Sequence, residues 1–184
     1  MPTSVHRSRA IGLATAMALA LLLIPIASAS ASGGVNPDGE GANSETVAGS
    51  KAKLVKGKAV APAEAPKRVQ RVIASANKIR DKPYKWGGGH GKWNDRGYDC
   101  SGAVSYALHG AKLLNTPLDS GGLARYGQKR KGQWITVYGA SGHAYMVVAG
   151  LRFDTSMVKG NGPGWSKQMR STPENYKARH PRGL

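Results

Sequence analysis

A single cysteine, Cys100, stands among 184 residues, so no internal disulfide can staple this chain. Whatever folds must therefore be held by a buried apolar core. The thiol is then either a small hydrophobic group of that core or a nucleophile. It sits in Asp99-Cys100-Ser101-Gly102, and a strand-like run carrying one histidine follows, Gly142-His143-Ala144-Tyr145-Met146-Val147-Val148.

The beginning of the chain reads as an export signal. His6, Arg7 and Arg9 give a positive start. Ile11 to Ile24 is apolar apart from Gly12 and Thr15, and Pro25 breaks the run. Ala27-Ser28-Ala29 and Ala29-Ser30-Ala31 offer small-residue cleavage sites. This three-part pattern places a secretory signal peptide at residues 1–31 and the mature protein outside the cell or in its wall. The run is short for a bilayer span and no other apolar stretch is longer, so stable membrane insertion after signal removal is not expected. Residues 32–65 are rich in Gly, Ser, Ala, Pro and Lys with few large apolar side chains. That composition predicts a flexible low-complexity tether. Residues 66–184 remain as one modest domain.

Charge is concentrated in that domain. The signal takes Arg7 and Arg9 and the tether takes four lysines, leaving 21 of the 27 basic residues; four of the 10 acids also fall before residue 66. The domain thus carries a formal charge of +15. Such a field raises encounter rates with polyanions and says nothing about fold. For an exported protein the polyanions at hand are anionic wall polymers and acidic lipids; no nucleic-acid partner is expected.

Helical spacing of Val69, Val72, Ile73, Ala76 and Ile79, with Pro66 ahead and Pro83 behind, predicts a first helix. Pro83-Tyr84-Lys85-Trp86-Gly87-Gly88-Gly89-His90-Gly91 is a loop. It lacks the Lys-Ser or Lys-Thr ending of a P-loop and the glycine spacing of a dinucleotide site. Asp99 is an N-cap residue type, and Cys100, Ala103, Val104, Ala107, Leu108 and Ala111 form a stripe, so a second helix is predicted to start at Cys100. Residues 115–132 read as a polar surface excursion. Strands are predicted at Trp134–Tyr138, His143–Ala149 and Leu151–Ser156, with a loop-like basic tail from Gly160. Helices followed by strands imply an α+β domain.

At a helix N-terminus a thiolate is stabilised by unpaired N–H groups and the helix dipole. The same N–H groups can bind an oxyanion formed after the thiolate attacks a carbonyl. A base is then required. His109 is too far along the helix from Cys100, and His6 leaves with the signal. His90 and His180 stay open; His143 is preferred because a strand holds a base more rigidly than a loop. A turn centred on Ala149 and Gly150 would set His143 opposite Ser156 and make Asp154 its diagonal neighbour, within reach of the ring. Asp154 could instead bond its own backbone at a hairpin end. On the residues alone, core thiol and nucleophile both remain open for Cys100.

Three pieces of the chain resemble the NlpC/p-sixty family of papain-like cell-wall cysteine peptidases: Pro83-Tyr84-Lys85-Trp86-Gly87-Gly88, Tyr98-Asp99-Cys100-Ser101-Gly102-Ala103-Val104, and Gly142-His143-Ala144-Tyr145-Met146-Val147, with Asp154 at the third polar position. The resemblance implies a papain-like α+β core in which a cysteine-bearing helix packs on an antiparallel sheet bearing the histidine. It implies a secreted peptidoglycan hydrolase that cleaves stem peptides, commonly between D-glutamate and a diamino acid, with Cys100 as nucleophile, His143 as base and acid, and Asp154 orienting His143. It places Tyr84, Trp86, Asp99 and Ser101 at the substrate site and calls for neither metal nor cofactor. The third position is more often His or an amide in that family. Two other functions fit the sequence: a Cys/His amidase cutting between sugar and peptide, and a noncatalytic basic wall-binding protein on a retired peptidase scaffold.

Overall fold

The computed structural model describes Met1 and residues 45–156 and 162–184. Apart from Met1, the expected signal peptide and residues 32–44 of the expected tether lie outside the described residues. Among those described, no helix is long and apolar enough to cross a membrane.

Two helices and a six-stranded sheet build the core. Helix α1 (Lys67–Ile79) buries Val69, Val72, Ile73, Ala76 and Ile79, the stripe read from the sequence. Pro66 sits at its cap position, one residue before the first turn. Helix α2 (Cys100–Gly110) begins at the cysteine and packs on α1. The contact is close: a Cβ on Gly110 would lie 1.9 Å from Ser75 Oγ of α1. The other side of α2 meets the sheet.

That sheet is antiparallel throughout, in the order β4 (Gln128–Lys129), β9 (Lys177–His180), β5 (Ile135–Ala140), β6 (His143–Val148), β7 (Leu151–Asp154), β8 (Gly164–Ser166). The β6–β7 hairpin pairs Val148 with Leu151 across a two-residue turn. Ala149 and Gly150 both take positive φ there, at 46° and 88°. Such a turn matches the right-handed twist of its flanking strands. Its register continues Met146 opposite Phe153, as the turn read from the sequence requires. Ile135, Val137, Ala144, Met146, Val148, Leu151 and Phe153 face the helices as one buried layer. The domain is α+β, with the cysteine helix laid on an antiparallel sheet that carries the histidine.

Three sequence expectations need correction. Residues 45–65 are not a flexible tether. Strands β1 (Thr46–Val47), β2 (Lys53–Val55) and β3 (Lys58–Pro62) form a small sheet, with β3 in the middle. Ala59, Val60 and Ala61 are buried, and Ala59 and Ala61 belong to the main core. Composition misled because these small side chains need no core of their own: they complete the exposed flank of α1. Asn77 of α1 holds β3 by its backbone, accepting from Ala59 N–H at 3.1 Å and donating to Ala59 C=O at 2.8 Å. The excursion at 115–132 also contributes to the interior. Helix α3 (Ser120–Leu123) packs on β5 and buries Leu123 completely. Finally, the tail beyond residue 160 is not all loop. It supplies β8, with a buried Trp165, and β9, which inserts between β4 and β5.

Candidate active site

The site lies where the start of α2 meets the start of β6. Asp99 Oδ1 accepts the Gly102 N–H at 2.7 Å and fixes the first turn. This cap leaves Cys100 at the first helical position, where its own N–H has no intrahelical acceptor. The glycine loop closes over the same turn: the Asp99 N–H reaches Gly88 C=O at 3.3 Å, and Gly87 N–H donates to Asp99 Oδ2 at 3.1 Å. The approach is so close that a Cβ on Gly102 would stand 2.0 Å from the Gly88 carbonyl oxygen. Glycine at 102 is thus required by packing.

Cys100 is 8% exposed and unpaired in any disulfide. His143 and the backbone N–H of Ala144 are the groups that act most strongly on its sulfur. Burial pushes the thiol pKa up, but His143 and the Ala144 N–H outweigh burial, and the net shift is downward. His143 Nε2 lies 3.0 Å from Asp154 Oδ1, which leaves Nδ1 for the sulfur. Burial lowers the imidazole pKa, while Asp154 and Cys100 raise it further, to about 9. The Asp154 side chain has no exposure. Burial would raise its pKa, but bonds from His143, the Ser156 N–H and Arg170 hold it at about 2. Ser156 N–H donates to Asp154 Oδ1 at 3.0 Å, so the carboxylate also makes the local hairpin-end bond that the sequence left open.

The other anticipated site residues divide into two groups. Tyr84 and Trp86 stand at the surface, 42% and 85% exposed. Burial raises the Tyr84 pKa, with further contributions from the charges of Cys100 and Asp99, which places its hydroxyl in the field of the sulfur. Asp99 and Ser101 are instead buried and engaged with protein: Ser101 Oγ donates to Asp99 Oδ1 at 3.1 Å, and His90 Nε2 is 3.1 Å from both. His90 therefore braces the cap. His180 Nδ1 is 3.0 Å from the Arg130 carbonyl oxygen, and His109 stacks on Trp93 with ring centroids 3.8 Å apart.

Sequence reasoning missed Arg170 and Tyr176. Arg170 Nε donates to Asp154 Oδ2 at 3.0 Å, and its Nη2 lies 2.7 Å from His143 Nε2. The guanidinium carbon stands 5.2 Å from the Tyr145 ring centre and 5.7 Å from that of Tyr176. Tyr176 presents its ring edge-on to His143 at 6.2 Å. Both residues come from the tail, where no periodic pattern marks them. Among the described residues no cluster of three His, Cys, Asp or Glu side chains could hold a metal ion.

Fold and constellation together define an α+β domain with a thiol, an imidazole and a carboxylate in line at a helix–sheet junction. No protein-family model and no curated protein matches this sequence. Among solved structures the chain is similar to the peptidoglycan hydrolase RipB from Mycobacterium tuberculosis, at 22% identity and a TM-score of 0.47, over 62% of this chain and 64% of that one. It is similar to an NlpC/p60 family protein from Bacillus cereus, at 20% identity and a TM-score of 0.47, over 61% of this chain and 39% of that one. It is also similar to RipD from Mycobacterium tuberculosis, a non-catalytic NlpC/p60 domain protein adapted to peptidoglycan binding, at 23% identity and a TM-score of 0.47, over 63% of this chain and 98% of that one. The chain thus spans less than two thirds of the length of the first two.

Proposed function

We propose that this protein is a secreted cysteine peptidase that hydrolyses stem-peptide amide bonds of peptidoglycan, between D-glutamate and a diamino acid. The observation that carries the catalytic part is the Cys100–His143–Asp154 chain at the α2 N-terminus. A buried cysteine of a passive core has no need of an imidazole that lowers its pKa or of a carboxylate behind that imidazole. The substrate class rests on the cell-wall peptidase motifs around Tyr84, Cys100 and His143.

In this reading the Cys100 proton moves to His143 Nδ1, and Asp154 holds the resulting imidazolium at Nε2. The thiolate attacks the amide carbonyl carbon, and the oxyanion gathers donors at the first turn of α2. His143 returns the proton to the leaving amine as the C–N bond breaks, giving a thioester on Cys100. Water, deprotonated by His143, hydrolyses the thioester and restores the thiol. Tyr84, in the field of the sulfur, and the exposed Trp86 offer aromatic surface to the substrate.

Purified wall incubated with wild type and with Cys100→Ala tests the proposal. Stem-peptide fragments are expected from the wild type and none from a folded Cys100→Ala variant; undiminished release by the variant would rule out the thiol mechanism. Mass analysis of the fragments distinguishes a peptide bond cut within the stem from an amide cut between sugar and peptide.

A further inference from the structure

Arg170 creates a conflict at His143 that the proposed mechanism does not use. Nε2 of the ring lies 3.0 Å from Asp154 Oδ1 and 2.7 Å from Arg170 Nη2. A carboxylate only accepts and a guanidinium only donates. One ring nitrogen cannot donate to the first and accept from the second at once. When Nε2 carries the proton, it bonds Asp154 and leaves Nδ1 free to take the Cys100 proton. When Nε2 accepts from Arg170, the neutral ring holds its proton on Nδ1, facing the sulfur, and cannot act as a base.

We propose that Arg170 is a positioning residue that decides which ring nitrogen of His143 carries the proton, and so whether the ring can deprotonate Cys100. Three contacts hold it in place to do so. Its Nε is anchored on Asp154 Oδ2, and its guanidinium carbon stands 5.2 Å from the Tyr145 ring centre and 5.7 Å from that of Tyr176, two rings that pack edge to face on each other. From that anchor a small rotation carries Nη2 onto or off Nε2. Moving off permits the imidazolium; moving on favours the neutral, non-basic ring. Other charged and titratable groups also face this pair. Asp154 and Arg152 project from β7, with Arg152 Nε 3.6 Å from Asp154 Oδ2. Cys100 comes from α2, with Asp99 and Tyr84 acting on its sulfur. Tyr145 lies on β6 and Tyr176 just before β9. Among these, Arg170 is the group that competes with Asp154 for Nε2 itself.

The inference concerns the base of the proposed peptidase, but its primary test needs no substrate. Protein labelled with 15N-histidine is titrated by NMR, and the His143 nitrogens report protonation and tautomer separately. Above its midpoint, wild-type His143 is expected to hold its proton on Nδ1. In Arg170→Met, whose unbranched side chain can still pack against the two tyrosine rings, the neutral form is expected to switch to Nε2–H. The midpoint is expected to rise by about one unit, a tenfold gain in proton affinity, because a neighbouring cation has been removed. Arg170→Lys keeps a charge on Asp154 without the planar fork and is expected to show the Nε2–H tautomer; it decides the matter should Arg170→Met fail to fold. The same tautomer in wild type and folded variant would overturn the proposal, because a merely structural arginine would alter stability and leave the ring proton in place. In wall hydrolysis, the alkaline limb of the pH profile should move up with the His143 midpoint. If the wild type releases no fragments, the peptidase reading fails, and the NMR result still stands or falls for Arg170.

Discussion

Replacing Asp154 with Asn removes one negative charge from a side chain that has no exposure and that bonds His143, Arg170 and the Ser156 N–H. The size of the effect follows from the carboxylate itself, whose pKa falls from 3.8 to about 2. Nearly two units of differential binding correspond to roughly 2–3 kcal/mol of stability near neutral pH. The raised pKa of His143 reports the same pairing from its other side and is not added. The sign follows from the depressed value. The contribution is present above the unfolded pKa of 3.8 and is lost as pH falls through the folded value near 2. Losing one partner of a fully buried ion pair costs more, but the Arg170 side chain keeps 23% exposure and can turn to water. Urea unfolding of wild type and Asp154→Asn at neutral pH and at successively lower pH measures the gap. About 2–3 kcal/mol at neutral pH, closing toward pH 2, is expected. A gap independent of pH would mean that packing, and not the carboxylate charge, sets the cost. No gap at neutral pH would mean that Asp154 does not hold the ion pair.

Wall hydrolysis should follow a bell-shaped pH profile: it rises as Cys100 ionises below the ordinary thiol value of 9.0 and falls as His143 loses its proton near pH 9. The two limbs belong to the coupled pair, so a single-limb curve with no alkaline fall would contradict the Cys100–His143 assignment. Asn77→Ala removes both bonds to Ala59 and the one from Trp165 Nε1 at 3.0 Å, and should cost about 2–3 kcal/mol in chemical denaturation. A loss under about 0.5 kcal/mol would show that β3 docks without it. Gly102→Ala forces a methyl against the Gly88 carbonyl and should cost about 1–3 kcal/mol. Alkylation of Cys100 should also speed up as the glycine loop lifts, and an unchanged rate would show that the loop does not cover the thiol.

Local chemistry wrote much of the site into the sequence. A cap residue before a small-residue stripe sets where α2 begins and so places Cys100 at the helix end; the glycine loop and His90 then brace that cap. A two-residue turn at Ala149-Gly150 sets the β6–β7 register, and the register puts Asp154 diagonal to His143 because side chains alternate along a strand. Both are matters of a few consecutive residues. Other parts of the molecule were decided by contacts distant in sequence. The strands at residues 46–62 are two to five residues long, too short for a periodicity to mark them; they are strands because α1 offers a flank and Asn77 offers an amide. Asp99 and Ser101, expected to face substrate, are turned inward by His90 and the glycine loop. Arg170 lies in a tail with no readable pattern and reaches Asp154 only because β8 and β9 join opposite sides of the β5–β6–β7 core and carry the chain between them past the site. Short-range capping and turn chemistry can be read along a chain, whereas a cation's counterion and a strand's neighbour exist only once the sheet has assembled.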